Sequence, residues 1–244
     1  MIEALSYTQY GFILTILIAA YTFRGVTGFG SGLIATPLLA LFLPLTFAIP
    51  FISLLDITAS LTHISHTRQH ISWKVILRAI PFAFIGVPVG LFALQTVATH
   101  TLVKGLGTFI ILFAIYSLIS PKLKKSNSII WPAFGGFFGS LIGAMFGTGG
   151  PFYVFYFQLQ QLDKSVFRAT CAAVFLLDGL IRAVGFTYSG FYTSTVLLSI
   201  AYSLPVMFFA MYVGNHIHTN IAQRTFQKAI GIFLIFSGIA LLLK

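Results

Sequence analysis

A chain of 244 residues with 58% hydrophobic and only 7% charged residues lacks the polar surface of a soluble domain, in which about a quarter of residues are charged. Its apolar stretches, separated by short polar turns, predict an all-α polytopic membrane protein. The net charge of +10 resides in the short loops, where membrane orientation requires it, so nucleic acid is not expected as a partner.

The first apolar run covers residues 10–43 and is interrupted by Phe23-Arg24-Gly25-Val26-Thr27-Gly28-Phe29-Gly30-Ser31-Gly32. The part before the interruption, residues 10–23, would make a helix of only about 21 Å against a hydrocarbon core of roughly 30 Å. Two short helical pieces that return to the side of origin fit better than one spanning helix. Spans are then predicted at 47–65, 75–94 and 102–119. The second half opens with residues 130–146, a break at Gly147-Thr148-Gly149-Gly150-Pro151, and residues 152–159. Further spans follow at 166–188, 196–213 and 226–243. The start of the chain carries Glu3 and no basic cluster, so no cleaved leader is expected. The single cysteine, Cys171, has no intrachain partner for a disulfide.

The halves match as copies. Pro81, Gly90, Thr101, Lys104, Gly107 and Phe109 match Pro205, Gly214, Thr225, Lys228, Gly231 and Phe233 at one offset (205 − 81 = 124). Leu54-Leu55-Asp56 matches Leu176-Leu177-Asp178 at 122, and the glycine breaks match at about 117. The division is residues 1–120 as first membrane repeat, 121–129 as a basic cytoplasmic linker, and 130–244 as second repeat. If each broken run returns to its starting side, three further spans make each half odd and the second copy inverted. Arg68, Lys74, Lys122, Lys124, Lys125, Lys164, Arg168, Arg224 and Lys228 then share one face, against Lys104 and Lys244 on the other. The positive-inside rule selects this arrangement, with cytoplasmic basic loops and both termini periplasmic. Two inverted repeats, each a broken or re-entrant hairpin plus three transmembrane helices, give 8 to 10 membrane segments, a transporter plan with its site near the midplane.

Broken helices in hydrocarbon leave backbone groups unpaired at a cost of several kcal/mol each, so they persist where they are buried in protein or line a watery cavity. A helix starting after the break presents its positive end to that cavity, which suits an anion. The candidate binding residues are Arg24, Thr27, Gly28, Gly30, Ser31 and Gly32 from the first break, with Gly147, Thr148, Gly149 and Gly150 from the second. Close helix packing is the competing explanation, because Gly28 and Gly32 also form a small-residue repeat. Arg24 could hold an anion bidentately or snorkel to the interface.

Asp56 and Asp178 are intramembrane acids and functional candidates by default. Asp178 and Arg182 share a helix face at i,i+4 and are expected to form an ion pair. Asp56 has Ser60 at the equivalent position, so it either pairs with Arg24 or titrates, and titration would couple transport to protons. His63, His66 and His70 lie at helical spacing, but Arg68 and Lys74 would repel a cation and no acid or cysteine completes a metal site. His216 and His218 are likewise not read as ligands. Trp73 and Trp131 read as interfacial anchors. No cofactor and no enzyme activity are expected, since no nucleophile–base constellation, phosphate-binding loop or dinucleotide fingerprint is present.

Gly25 through Leu39, with Gly28-Phe29-Gly30-Ser31-Gly32 and Pro37, resembles the first-repeat signature of the TauE/SafE sulfite exporter family. Arg68-Gln69-His70-Ile71-Ser72-Trp73-Lys74, the Gly86-Val87-Pro88-Val89-Gly90 span, Gly147-Thr148-Gly149-Gly150-Pro151 and Arg168-Ala169-Thr170 extend the resemblance over the whole chain. The sequence departs from the commoner pattern at Phe47-Ala48-Ile49-Pro50 and at Ser31. The resemblance implies a permease for small anions such as sulfite or organosulfonates in a bacterial-type inner membrane, with the lipid bilayer and a small anionic substrate as partners. The alternative is a channel-like or structural membrane protein that reuses the fold.

Overall fold

The structure, a computed structural model, describes residues 7–119, 124–126, 128–216 and 223–244. Among these residues it contains ten α-helices: α1 (Tyr7–Thr27), α2 (Ser31–Leu39), α3 (Leu45–Thr67), α4 (Trp73–Thr96), α5 (Thr99–Ile119), α6 (Ile130–Phe146), α7 (Gly150–Leu159), α8 (Lys164–Tyr188), α9 (Ser194–His216) and α10 (Gln223–Leu242). Five stretches are long and apolar enough to cross a bilayer: Leu45–Thr62, Trp73–Thr96, Thr99–Ile119, Ser165–Tyr188 and Ser194–His216. Large apolar side chains stand exposed on their outer faces, among them Leu77, Phe84 and Phe92 on α4, Leu112 on α5 and Phe209 on α9. Contiguous exposed apolar surface of this kind is untenable in water and suits lipid. The chain is therefore a polytopic helical membrane protein.

Both broken runs double back. The Phe12 ring near the start of α1 stacks on Phe42, just past α2, with centroids 6.0 Å apart. At the start of α6, Trp131 meets Phe155 of α7 at 5.6 Å, and the Gln160 amide donates to the Ser126 carbonyl at 3.0 Å. The arms are unequal, however. α1 has 21 residues, about 32 Å at 1.5 Å per residue, whereas α2 has nine and α7 ten. The expected short first piece ending near residue 23 is thus corrected: the helix continues through Arg24 and Gly25 to Thr27. It can do so because the Arg24 side chain is paired (below) and because bare Gly25 fits where a Cβ would lie 2.6 Å from the Met211 carbonyl oxygen of α9.

The helix stops where Gly28 turns to φ +86°, its amide donating to the Arg24 carbonyl at 2.6 Å. Gly147 ends α6 the same way, at φ +69°, with its amide on the Gly143 carbonyl at 2.9 Å. Positive φ of this size is left-handed backbone that glycine adopts without steric cost. The common geometry aligns the breaks at an offset of 119 (147 − 28 = 119) rather than about 117, pairing Arg24 with Gly143 and Thr22 with Leu141.

The packing follows the same correspondence. The principal pairings are α1 with α9, α4 with α6, α3 with α8 and α5 with α10, a set unchanged when the first five helices are exchanged with the last five. A Cβ at Gly214 would strike the Thr22 carbonyl oxygen at 2.2 Å, and one at Gly90 would strike the Leu141 carbonyl oxygen at 2.4 Å. Two glycines matched by sequence therefore meet two carbonyls matched by the breaks. Small residues let these helix pairs approach to backbone contact, and van der Waals packing drives association where lipid supplies no hydrophobic contrast.

Candidate functional site

The two breaks meet. A Cβ on Gly32, in the first turn of α2, would sit 2.2 Å from the Gly147 carbonyl oxygen and 3.7 Å from Asp56 Oδ2. Around this contact lies a cavity of about 30 Å³ lined by Arg24, Gly30, Gly32, Leu33, Asp56, Gly147, Thr148, Gly149, Gly150, Phe175, Asp178 and Arg182. The lining brings together seven of the ten candidate binding residues and all three candidate coupling residues. Thr27, Gly28 and Ser31 are not part of it. The Thr27 hydroxyl turns back to the Phe23 and Phe29 carbonyls at 2.9 and 2.7 Å, Gly28 faces Arg168, and Ser31 is engaged with Asp56.

Two ion pairs flank the cavity. Arg24, 4% exposed, places Nη1 2.8 Å from Asp56 Oδ1 and 2.9 Å from Ser31 Oγ. Its Nη2 donates to Ser60 Oγ at 2.6 Å and to the Asp56 carbonyl at 3.1 Å. Asp56 Oδ1 also accepts from Ser31 Oγ at 2.6 Å and from the Tyr21 hydroxyl at 2.9 Å. Arg24 therefore does not snorkel, and of the two fates open to Asp56 the structure has it paired with Arg24. In the other half, Arg182 Nε lies 2.9 Å from Asp178 Oδ2, and its Nη1 donates to the Gly143 carbonyl at 3.1 Å. Asp178 Oδ1 accepts from Ser140 and, at 3.0 Å, from Tyr153.

Each carboxylate is thus held by one arginine, one serine and one tyrosine, but from different elements. Arg24 comes from the hairpin helix α1, and its counterpart at the second break is Gly143. Arg182 comes from the aspartate's own helix, α8, and its counterpart is Ser60. The cation keeps its place beside the acid while its backbone origin changes. Tyr21, Ser140 and Tyr153 were not singled out from sequence: an apolar run gives no sign that a tyrosine or serine in it points inward at an acid. Tyr21 precedes Arg24 by three residues, a spacing that puts both on one helix face, and this was the available signal.

Side-chain charge around the cavity balances, with two arginines against two aspartates. What remains for a ligand is backbone and hydroxyl. α2 begins at Gly30-Ser31 and α7 at Gly149-Gly150. The Leu33 and Phe152 amides donate to the Gly30 and Gly149 carbonyls at 3.2 and 3.3 Å and Pro151 has no N–H, so the unmatched first-turn donors are the amides of Ser31, Gly32 and Gly150. Each such end carries about half a positive charge. Thr148 is 2% exposed and its hydroxyl has no hydrogen-bond partner. A buried unpaired hydroxyl costs about 1–3 kcal/mol, which a ligand accepting from it would relieve. The donor set suits a small oxyanion. Among the described residues no group of three His, Cys, Asp or Glu side chains could hold a metal, and the side chains of His63, His66 and His218 lie outside the described set.

Residues 12–241 match the family described as Sulfite exporter TauE/SafE. The chain belongs to that family. It is accordingly a membrane transporter and not an enzyme. It is 28% identical over 229 residues to a Cupriavidus necator protein named "Probable sulfite/organosulfonate exporter TauE", covering 91% of this chain and 89% of that one. It is 24% identical over 192 residues to a Comamonas testosteroni protein named "Probable inner membrane transporter protein TsaS", covering 77% and 80%. No solved structure matches the chain significantly.

Proposed function

We propose that the protein carries sulfite or a small organosulfonate across the inner membrane by alternating access, binding the anion between the tips of two inverted repeats. The repeats are residues 1–120 and 130–244, joined by the cytoplasmic segment 121–129, with both termini periplasmic. The observation that carries the proposal is the contact of Gly32 with Gly147 beside one cavity that two helix N-termini, two Arg–Asp pairs and the unpartnered Thr148 hydroxyl share. The doubled-back hairpins and the packing pairs that survive exchange of the halves support inversion.

At about 30 Å³ the cavity has room for a water or two, so admitting an anion requires the tips to part. Rocking of one hairpin against the other would open the site to one side at a time.

The test is flux of sulfite in proteoliposomes, with Thr148→Val as the site variant. The wild-type protein should show saturable uptake accelerated by sulfite on the opposite side. Valine keeps the shape and removes an unpaired hydroxyl, so thermal stability should hold, while loss of one hydrogen bond to a charged ligand should weaken binding about tenfold or more. Unchanged flux and KM in Thr148→Val would remove the cavity as the binding site.

A further inference from the structure

Arg168, in the second turn of α8, is a third arginine near the first hairpin, and among the described residues it has no ion pair. Its Nε is buried without a hydrogen-bond partner, and its Nη2 reaches only the Gly25 carbonyl at 3.5 Å, the long limit for such a bond. The guanidinium lies against the bare face of Gly28, where a Cβ would be 3.4 Å from Nε. A guanidinium has five N–H donors in a planar fork that matches oxyanion geometry. Here nearly all of them are uncommitted. The sequence neighbours of Gly28 and Arg168, Phe29 and Phe167, meet edge to face at 6.3 Å, which walls the first tip against α8.

The position of Arg168 in the fold is fixed by neighbours. Two residues on, Thr170 Oγ1 accepts from the Ser72 amide at 3.0 Å, so this part of α8 is level with the Arg68–His70 turn and the start of α4. That is the basic face of the chain. One hairpin tip therefore has two sides: Gly28 faces Arg168, while Gly30 lines the central cavity. Among the described residues the second tip has no such cation. Gly147 faces Thr36 and Ile49 instead.

We propose that Arg168 is a loading site for the anion on the basic, cytoplasmic face, separated from the central cavity by the Gly28–Gly30 turn, so that this face is where the substrate is taken up. The proposal rests on the transport function above and adds to it the residue that first holds the anion. An anion drawn by the basic loops meets the uncommitted guanidinium first. It passes to the Arg24–Arg182 cavity when the first tip swings away from α8. Among the described residues the lysines of the opposite face are Lys104 and Lys244, and the Lys244 ammonium is already committed to the Ala40 and Leu41 carbonyls at 2.8 and 3.2 Å, so that face presents no uncommitted guanidinium to the anion.

The test compares sulfite transport in inside-out and right-side-out vesicles for wild type, Arg168→Gln and Arg168→Lys. For Arg168→Gln, KM for sulfite presented to the cytoplasmic face should rise about tenfold or more, the scale of a lost charge-assisted hydrogen bond. The kcat from the cytoplasmic face and the KM from the other face should stay within about twofold. The kcat from that other face should fall by the factor that keeps the ratio of kcat/KM in the two directions unchanged, since the protein cannot shift the transport equilibrium. Arg168→Lys, which keeps charge without the fork, should fall between and serves as the readout if the glutamine variant does not fold. A KM change equal on both faces, or none, overturns the assignment. A wild-type protein that moves no anion overturns the transport function itself and the loading site with it, whereas wild-type flux with unaltered KM in the variants overturns the loading site alone.

Discussion

Arg24→Ala removes the one cation that, among the described residues, pairs with Asp56, and leaves a carboxylate held by Tyr21 and Ser31. Breaking a buried ion pair from one side costs about 3–5 kcal/mol, because the partner charge stays buried and uncompensated. At about 2–4 °C per kcal/mol for a chain of this size, the melting midpoint in detergent should fall by roughly 6–20 °C. The second half shows how to restore it. There the arginine stands four residues after the aspartate on the same helix, and a glycine occupies the hairpin position. Ser60 is four residues after Asp56 and already touches Arg24 Nη2 at 2.6 Å, so an arginine at 60 would enter the space that Arg24 vacates. Arg24→Ala with Ser60→Arg should regain most of the lost stability. Ser60→Arg alone should destabilise, since it buries a second cation beside Arg24. The four proteins form a double-mutant cycle, and the coupling, which is the stability regained plus the loss in Ser60→Arg alone, should be about 3 kcal/mol or more. Thermal unfolding followed by size-exclusion chromatography measures all four. Additive losses, with the double variant no better than Arg24→Ala, would refute the claim that the halves hold their carboxylates in one equivalent place.

Gly32→Ala puts a methyl 2.2 Å from the Gly147 carbonyl oxygen, a distance at which backbone must shift. The tips should be wedged apart, with sulfite flux in proteoliposomes falling at least tenfold while the protein remains folded in detergent; wild-type flux would show that tip contact is dispensable. Orientation can be read with a membrane-impermeant maleimide, because the native Cys171 is fully buried and should not react. Cysteine at exposed Thr99 should label from outside intact cells and cysteine at exposed Lys125 only after permeabilisation; the reverse pattern would invert the topology. For the proposed function, Thr148→Val is the variant expected to spare stability and lose affinity, and Arg168→Gln is the one expected to raise KM at a single face.

Much of the architecture is legible along the chain because a membrane restricts what a sequence can do. Composition leaves only helices, span length follows from bilayer thickness, and glycine clusters inside apolar runs mark the backbone irregularities that hydrocarbon does not tolerate unprotected. The two breaks and the acids at Asp56 and Asp178 come from that source. The end of α1 does not. Whether a helix survives an intramembrane arginine and a glycine depends on Asp56, Ser60 and the α9 backbone, all distant in sequence.

The site divides in the same way. Sequence determined which residues are chemically unusual for their surroundings: Arg24, Asp56, Asp178, Arg182 and the glycines. Tertiary structure decided what each one faces. It committed Arg24 and Ser31 to Asp56, turned Thr27 back on its own chain, left Thr148 without a partner in the shared cavity, and set Arg168 against Gly28 outside it. Residue type and spacing fix local geometry to a few turns of helix. Which charges meet is decided by contacts between helices that approach through glycine, and those contacts join residues 25 to 143 positions apart.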